Sequence, residues 1–249
     1  MDDRDRDISR RDFVAATGSA VGMAMAPGNL WRGQGRSAPP PGMVVLFQGD
    51  SITDCGRDRA MAEPNRAAAL GTGYPLMVAE QHLAARPDAG FRFYSRGISG
   101  NKVPDLESRW QADTLDLRPD VLSVLIGVND LWNKLNGRYD GTVEQYENGY
   151  AALLERTRRA LPGARLVVLE PFVLRTGAVN DAWFPEFDLR RAAAARVAAG
   201  ARATFSPLHA MFERLTAQAP PEYWAADGVH PTVAGHGAIA QSWMQGVPL

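Results

Sequence analysis

The sequence has little cysteine, almost no net charge and no long apolar run, and each of these absences excludes something. Cys55 is the only cysteine among 249 residues, so no disulfide can form within the chain, and no Cys/His cluster has the spacing of a zinc site. The formal net charge is -1 with no block of like charges, which argues against a nucleic-acid partner. No stretch approaches the roughly 18 apolar residues that span a bilayer. We therefore expect no metal site, no nucleic-acid partner and no stable membrane insertion.

The first forty residues differ in character from the rest. Arg10 and Arg11 directly precede a weakly apolar stretch at 13–26, which resembles a twin-arginine export signal and predicts a periplasmic or secreted protein. An uncleaved N-terminal arm remains the alternative, because Pro27 would hinder cleavage after Ala26. We therefore predict an export signal at 1–27, a Pro/Gly/Ser-rich linker at 28–40 and a folded domain at 41–249.

Five short apolar runs in that domain alternate with helical patterns. The predicted strands cover 43–48, 91–95, 121–127, 165–171 and 203–208, and the predicted helices cover 75–85, 103–115, 142–161, 189–199 and 233–244. Strands that alternate with helices indicate βαβ units and a parallel sheet that is covered on both faces. The predicted fold is a three-layer α/β/α sandwich with a central parallel sheet of about five strands. Functional sites of such sheets lie at the carboxyl ends of the strands.

Polar residues follow the predicted strands and are candidates for an acyl-transfer site. Ser51 follows the first strand, and Asp227 and His230 lie in a loop after the last one. A serine hydroxyl becomes a nucleophile when a base removes its proton, and a histidine base works best when a third group fixes its tautomer. We predict that Ser51, His230 and Asp227 fill these three roles.

An acyl-transfer site also needs hydrogen-bond donors aimed at the developing oxyanion. The turns after the second and third strands contain Gly100 and Asn129. We predict an oxyanion hole formed by the backbone N–H groups of Ser51 and Gly100 and by the side-chain amide of Asn129.

Other interpretations of these residues stay open at the level of sequence. Ser51 could be a helix N-cap, and His236 in the last predicted helix is a second candidate base. Asp50 and Asp130 are rival acids, although each is expected to order its own loop. Cys55 is expected to be a small buried packing residue.

Four residues near the predicted site are candidates for substrate contact. Trp132 and Trp224 could stack on a sugar ring, although large aromatic side chains more often pack in a core. Arg57 lies on the loop after the predicted nucleophile, and Asp50 directly precedes it. We predict that these four residues line the substrate site.

Four ordered blocks resemble the SGNH (GDSL-type) hydrolase family. They are "GDSITDCGR", "GISGN", "IGVNDLW" and "DGVHPTVAGH". The family's serine, glycine, asparagine and histidine correspond here to Ser51, Gly100, Asn129 and His230. The resemblance implies a flavodoxin-like sandwich fold and serine-dependent ester hydrolysis.

Three further motifs, "LGTGYP", "RWQAD" and "EPFVL", narrow the resemblance to the branch that contains acetyl-xylooligosaccharide esterases and related carbohydrate deacetylases. That branch implies an oligosaccharide ester as substrate, no metal or organic cofactor, and homo-oligomers in some members. One departure is Ser95, where many relatives have asparagine. Two alternatives remain: a lipase, lysophospholipase or thioesterase of the same fold, and a carbohydrate-binding protein that has lost catalysis.

Overall fold

Five parallel strands form the centre of the protein in a computed structural model, which describes residues 42–249. The strands are β1 Val44–Gly49, β2 Arg92–Ser95, β3 Val121–Leu125, β4 Arg165–Leu169 and β5 Thr204–Ser206. Their order across the sheet is β2-β1-β3-β4-β5, and every neighbouring pair is parallel. Flavodoxin has the same doubly wound order. The predicted fold class is therefore confirmed, whereas the predicted export signal and linker lie outside the described residues.

Helices connect the strands and cover both faces of the sheet. They are α1 Ser51–Asp54, α2 Ala67–Leu70, α3 Tyr74–Ala85, α4 Val103–Trp110, α5 Val128–Leu135, α6 Val143–Ala160, α7 Glu186–Gly200, α8 Leu208–Thr216, α9 Pro221–Trp224 and α10 Val233–Gly246. A π-helical turn at Gln111–Leu115 extends α4, and a 3₁₀ turn at Asp181–Trp183 precedes α7.

The sheet is buried on both sides because alternate residues of its strands enter two different cores. Val45 and Phe47 of β1 belong to the core that also contains Trp243 of α10, whereas Leu46 belongs to the core that contains Tyr150 of α6. All six residues of β1 are buried. A strand that is buried on both faces has a continuous apolar sequence, which is why 43–48 could be predicted as a strand.

Helix α6 begins at a capping box, at the position where the sequence predicts the helix to start. The Thr142 hydroxyl accepts a hydrogen bond of 3.1 Å from the Gln145 N–H, and the Gln145 side-chain oxygen accepts one of 2.9 Å from the Thr142 N–H. This reciprocal pair satisfies two N–H groups that would otherwise lack a partner at a helix start. The sequence prediction of this start is confirmed.

Helix α5 was not predicted, because the segment around Asn129 was interpreted as a turn. β3 ends at Leu125, two residues before the predicted end at Gly127. Gly127 has φ 135°, and a Cβ atom there would lie 2.8 Å from the Tyr146 hydroxyl oxygen. Glycine therefore permits an abrupt change from strand to helix, which a local hydrophobic period cannot reveal.

Two kinds of feature are absent from residues 42–249. No helix in this range is both long enough and apolar enough to cross a membrane. Within the same range, no group of three or more His, Cys, Asp or Glu side chains could hold a metal ion.

Candidate active site

Ser51 lies at the carboxyl edge of the sheet because the chain turns sharply after β1. Gly49 has φ 157°, and a Cβ atom there would lie 2.3 Å from the Leu125 carbonyl oxygen and 2.5 Å from the Thr53 hydroxyl oxygen. Only glycine fits this close approach of backbone to backbone. Asp50 then caps α1 by accepting a hydrogen bond of 3.0 Å from the Ile52 N–H. The alternative that Ser51 itself is the N-cap is wrong, and its hydroxyl is free for other contacts.

Ser51, His230 and Asp227 form one hydrogen-bonded row. The Ser51 Oγ lies 2.9 Å from His230 Nε2, and His230 Nδ1 lies 2.6 Å from Asp227 Oδ2. A carboxylate only accepts, so the neutral imidazole carries its proton on Nδ1 and presents an unprotonated Nε2 to the hydroxyl. This tautomer is the one that can remove a proton from Ser51.

The loop that contains Asp227 holds the carboxylate in place. Asp227 Oδ1 accepts hydrogen bonds from the backbone N–H groups of Val229 (2.9 Å) and His230 (2.7 Å). Gly228 has φ 83°, and a Cβ atom there would lie 2.4 Å from the Thr176 carbonyl oxygen. Partial burial opposes ionisation of Asp227, but the hydrogen bonds from His230 and Val229 outweigh it and keep its pKa below the usual range. Asp227 is therefore an ionised acceptor at neutral pH.

The three candidate oxyanion donors lie at the carboxyl edge of the sheet, Ser51 at the start of α1, Gly100 in the turn after β2 and Asn129 in the first turn of α5. The N–H groups of Ser51 and Gly100 have no hydrogen-bond partner among residues 42–249, and Gly100 has φ 84°. Asn129 is 7% exposed, and its Nδ2 donates to the Asn101 carbonyl oxygen at 3.2 Å, which leaves a second N–H on the same nitrogen. The Ile98 N–H donates to the Gly49 carbonyl oxygen at 3.1 Å, which joins the Gly100 turn to the end of β1.

The rival acids do not contact His230. Asp50 is 1% exposed and caps α1, and Asp130 is fully buried and accepts a hydrogen bond of 3.2 Å from the Val103 N–H. Burial raises the pKa of Asp50 to about 7 and that of Asp130 to about 6. Asp50 orders its own turn, as the sequence suggested, whereas the expectation is wrong for Asp130, which holds the start of α4, 27 positions away. This burial also places Asp50 behind Ser51 rather than on a surface that a substrate could touch.

The rival base His236 has the wrong tautomer and a different partner. Its Nδ1 accepts a hydrogen bond of 3.2 Å from the Tyr74 N–H, so the proton of the neutral ring is on Nε2. That nitrogen lies 3.3 Å from Cys55 Sγ, and the sulfur also contacts the Thr72 hydroxyl at 3.4 Å. The expectation that Cys55 is a buried packing residue is wrong, since it is partly exposed and contacts a histidine 181 positions away.

We expect His236 to make the protein less stable in acid. Burial, with a smaller contribution from the nearby His230, lowers its pKa to about 4, below the usual 6.5. Because the unfolded chain binds this proton at higher pH, the contribution of neutral His236 is complete above pH 6.5 and is lost as the pH falls to about 4. The loss is on the order of 3 kcal/mol.

Urea unfolding of the wild type and His236→Gln at pH 4.5 and pH 7 measures this contribution. Asp50 and Asp130 have the opposite effect on stability. Because their pKa is raised in the folded protein, their contribution to the free energy of unfolding falls as the pH rises. The informative quantity is therefore the difference between the variant and the wild type. We expect the variant to lose less free energy of unfolding on acidification. An equal loss in the two proteins would contradict the assignment.

The remaining substrate candidates occupy different environments. Trp132 is partly buried, and its ring centroid lies 6.0 Å from that of His230. Arg57 is 8% exposed, and its Nε donates to the Gly97 carbonyl oxygen at 2.8 Å. The Trp224 indole N–H donates to the carbonyl oxygens of Leu215 and Ala219, at 3.1 and 3.2 Å. Among these three side chains, Trp132 is the one in ring contact with His230.

Sequence reasoning missed Asp54, which organises the Gly100 turn from the helix that carries Ser51. Asp54 Oδ2 accepts hydrogen bonds from the Ser99 N–H (2.9 Å) and the Ser99 hydroxyl (2.7 Å), and it also pairs with Arg59. Burial opposes its ionisation, but these bonds dominate and lower its pKa. Its place within the motif "GDSITDCGR" was the one signal in the sequence, and that signal does not name Ser99 as the partner.

A serine, a histidine and an aspartate joined by hydrogen bonds at the carboxyl edge of a doubly wound sheet are the arrangement of a serine hydrolase. The model of the GDSL-like lipase/acylhydrolase family matches residues 47–238. The chain belongs to this family and is a carboxylic ester hydrolase.

Three relatives show how far the similarity extends. An acetylxylan esterase from Geobacillus stearothermophilus is 33% identical over 208 residues, which cover 82% of this chain and 93% of that protein. The crystal structure of Axe2, an acetylxylan esterase from the same species, has a TM-score of 0.75 at 30% identity and covers 86% of this chain and 97% of Axe2. A candidate GDSL-like lipase from Parabacteroides merdae has a TM-score of 0.80 at 46% identity, with 82% and 94% coverage.

Proposed function

We propose that this protein is a serine esterase that removes O-acetyl groups from xylo-oligosaccharides or related carbohydrates. The single observation that carries the mechanism is the row from Ser51 Oγ through His230 to Asp227, with contacts of 2.9 and 2.6 Å. The similarity to acetylxylan esterases over most of the chain supports the substrate class.

In the proposed first half-reaction, Ser51 Oγ attacks the acetyl carbonyl carbon while its proton passes to His230 Nε2. The carbonyl oxygen becomes an oxyanion, which accepts hydrogen bonds from the N–H groups of Ser51 and Gly100 and from the Asn129 amide. Asp227 stabilises the imidazolium that has formed. When the tetrahedral intermediate collapses, the bond to the sugar oxygen breaks, and that oxygen takes the proton from His230.

In the second half-reaction, water takes the place of the sugar hydroxyl. His230 Nε2 removes a proton from the water, whose oxygen attacks the acetyl carbon of the acyl-enzyme. The second tetrahedral intermediate breaks the bond to Ser51 Oγ, which regains its proton from His230. The products are acetate and the free enzyme, and the groups that act in the cycle are side chains and backbone N–H groups of this chain together with water.

The large apolar side chains of the loop at 175–187 are buried or covered, so they do not form an open pocket for a long acyl group. In this loop Trp183 is 2% exposed, and the Arg175 guanidinium covers the Phe184 ring at 3.9 Å. A cavity of about 500 Å³ beside this loop is lined partly by charged side chains, among them Asp188 and Arg191, and its lining includes neither Ser51 nor His230. The loop therefore offers little apolar lining for a long hydrocarbon chain.

Hydrolysis assays separate the deacetylase from the alternatives. We would measure acetate release from acetylated xylo-oligosaccharides beside hydrolysis of the 4-nitrophenyl esters of acetate and octanoate, with Ser51→Ala as the control. We expect serine-dependent acetate release and at least about tenfold slower cleavage of octanoate, since even one methylene that the pocket does not accommodate costs roughly 1–3 kcal/mol. Faster cleavage of octanoate would indicate that the substrates are lipids or thioesters. Absence of serine-dependent activity would favour a carbohydrate-binding protein.

A further inference from the structure

Arg109 opens the motif "RWQAD" near the end of α4 and has no part in the mechanism described above. Its guanidinium contacts three separate pieces of the carboxyl edge. Nε donates to Asn101 Oδ1 at 2.8 Å, Nη1 donates to the Arg96 carbonyl oxygen at 2.7 Å, and Nη2 donates to the Gly49 carbonyl oxygen at 3.3 Å. The side chain is 14% exposed. One buried fork thus joins the end of β1 to the beginning and the end of the turn that contains Gly100.

The π-helical turn that follows Arg109 holds the same strand end from a second side. Asp113 Oδ2 accepts a hydrogen bond of 2.9 Å from Arg109 Nη1. The Gln48 side-chain amide donates to the Asp113 carbonyl oxygen at 3.2 Å and to the Thr114 hydroxyl at 2.9 Å. Gln48 precedes Gly49 in β1, so the segment 109–114 contacts two consecutive residues just before the serine. Wide π-helical turns within helices frequently occur at functional sites.

The contacts of Arg109 continue to the candidate oxyanion donors. Asn101, whose side chain accepts from Arg109, uses its own carbonyl oxygen to accept the Asn129 amide at 3.2 Å. Gly100 is the neighbour of Asn101, and the Asn101 N–H donates to the Ile98 carbonyl oxygen at 3.1 Å. A shift of Asn101 would therefore move both the Gly100 N–H and the acceptor that orients Asn129.

We propose that Arg109 is a positioning residue for the oxyanion hole, which it holds in the productive geometry through Asn101 and the Gly49 carbonyl oxygen. This inference rests on the proposed serine-esterase function. Arg109 acts through other residues, because its Nε, Nη1 and Nη2 groups all donate to protein acceptors, which belong to Asn101, Arg96, Asp113 and Gly49. Lysine would retain the positive charge but cannot replace the fork, since an ammonium group has no fixed planar arrangement of donors.

The variant Arg109→Lys tests the proposal, and Arg156→Lys is its matched control. Arg156 donates to Gln111 Oε1 at 2.8 Å and so contacts the same π-helical turn from outside. We expect Arg109→Lys to lower kcat for 4-nitrophenyl acetate about 10- to 100-fold with less than a threefold change in KM, because an oxyanion donor acts in the transition state. Arg156→Lys should keep the kcat of the wild type, and thermal unfolding should show that both variants are folded.

A double-mutant cycle with Asn129→Ala distinguishes a positioning role of Arg109 from a general disruption of the active site. Asn129→Ala alone should lower kcat about 100- to 1000-fold. In Arg109→Lys/Asn129→Ala, the loss should be at least threefold smaller than the product of the two single losses, because part of the effect of Arg109 passes through Asn129. Asn101→Ala provides a second route if Arg109→Lys does not fold, and it should also lower kcat at nearly constant KM.

The outcomes are distinguishable from a failure of the proposed function. If the wild type has no Ser51-dependent turnover, both the function and the positioning role are overturned. If the wild type is active and Arg109→Lys retains its kcat, only the positioning role is overturned. A rise in KM as large as the fall in kcat, or fully multiplicative losses in the cycle, would also overturn it.

Discussion

Ser51→Ala should lower kcat for 4-nitrophenyl acetate and for acetylated xylo-oligosaccharides by on the order of 10⁵- to 10⁶-fold. Alanine removes the oxygen that lies 2.9 Å from His230 Nε2, so no acyl-enzyme can form. The oxyanion donors and the binding surface remain, and they should sustain a residual rate about 10³- to 10⁴-fold above the reaction in water. We expect this variant to have the largest loss of any single substitution at the site.

The control for this experiment is Ser108→Ala. Ser108 is exposed on α4, where its hydroxyl donates to the Asp105 carbonyl oxygen at 2.7 Å, and its removal should leave kcat unchanged. Mass spectrometry after treatment with a phosphonate ester provides an independent readout, because a covalent adduct should form on the wild type and not on Ser51→Ala. More than about 1% residual turnover in a preparation free of wild-type enzyme would contradict the role of Ser51 as nucleophile.

The fold could be predicted because the apolar runs of its strands and the capping box of α6 are local features of the sequence. β1 and β3 are buried on both faces and therefore form continuous apolar runs, and α6 has a capping box at 142–145. Strand boundaries were less accurate, because the chain leaves the sheet where a glycine such as Gly127 permits it rather than where the apolar run stops. The short helix α5 was missed for the same reason. Its course depends on contact between Gly127 and Tyr146, which lie 19 positions apart.

The candidate site could be predicted in part because parallel strands deliver their carboxyl ends to one edge. Once a sheet was predicted, Ser51 and Asn129 had to lie near each other, and the three-residue interval placed Asp227 beside His230. Sequence alone did not distinguish the capping roles, and the structure assigns the N-cap of α1 to Asp50 rather than Ser51. The N-cap is the residue whose side chain accepts a hydrogen bond from the Ile52 N–H, and that residue is Asp50.

The long-range side-chain contacts could not be predicted. Cys55 contacts His236 across 181 positions, and Arg109 contacts Gly49 across 60. No periodic pattern encodes such a pair, because each partner is placed by the packing of a different helix against the sheet. For Arg109, the motif "RWQAD" indicated a resemblance, but two acceptors of its guanidinium are the backbone carbonyls of Arg96 and Gly49, and a backbone carbonyl has no signature in the sequence.

Asp227→Asn should lower kcat by about 10³- to 10⁴-fold, which makes it the second largest expected effect. Asparagine keeps the shape of the side chain but has one acceptor in place of two. If its oxygen stays on the backbone N–H groups of Val229 and His230, its NH₂ group faces His230 Nδ1. That ring nitrogen must then accept, the proton moves to Nε2, and the imidazole can no longer take the proton of Ser51.

The opposite amide orientation does not restore the site. It would return an oxygen to His230 Nδ1 but would direct the NH₂ group at two backbone N–H donors that Asp227 Oδ1 now accepts, at 2.9 and 2.7 Å. Asp181→Asn is the matched control, since Asp181 lies on a nearby loop with its side chain 99% exposed and should leave kcat unchanged. The kcat of both variants on 4-nitrophenyl acetate decides the matter. A loss smaller than tenfold in Asp227→Asn would mean that Asp227 does not set the tautomer of His230.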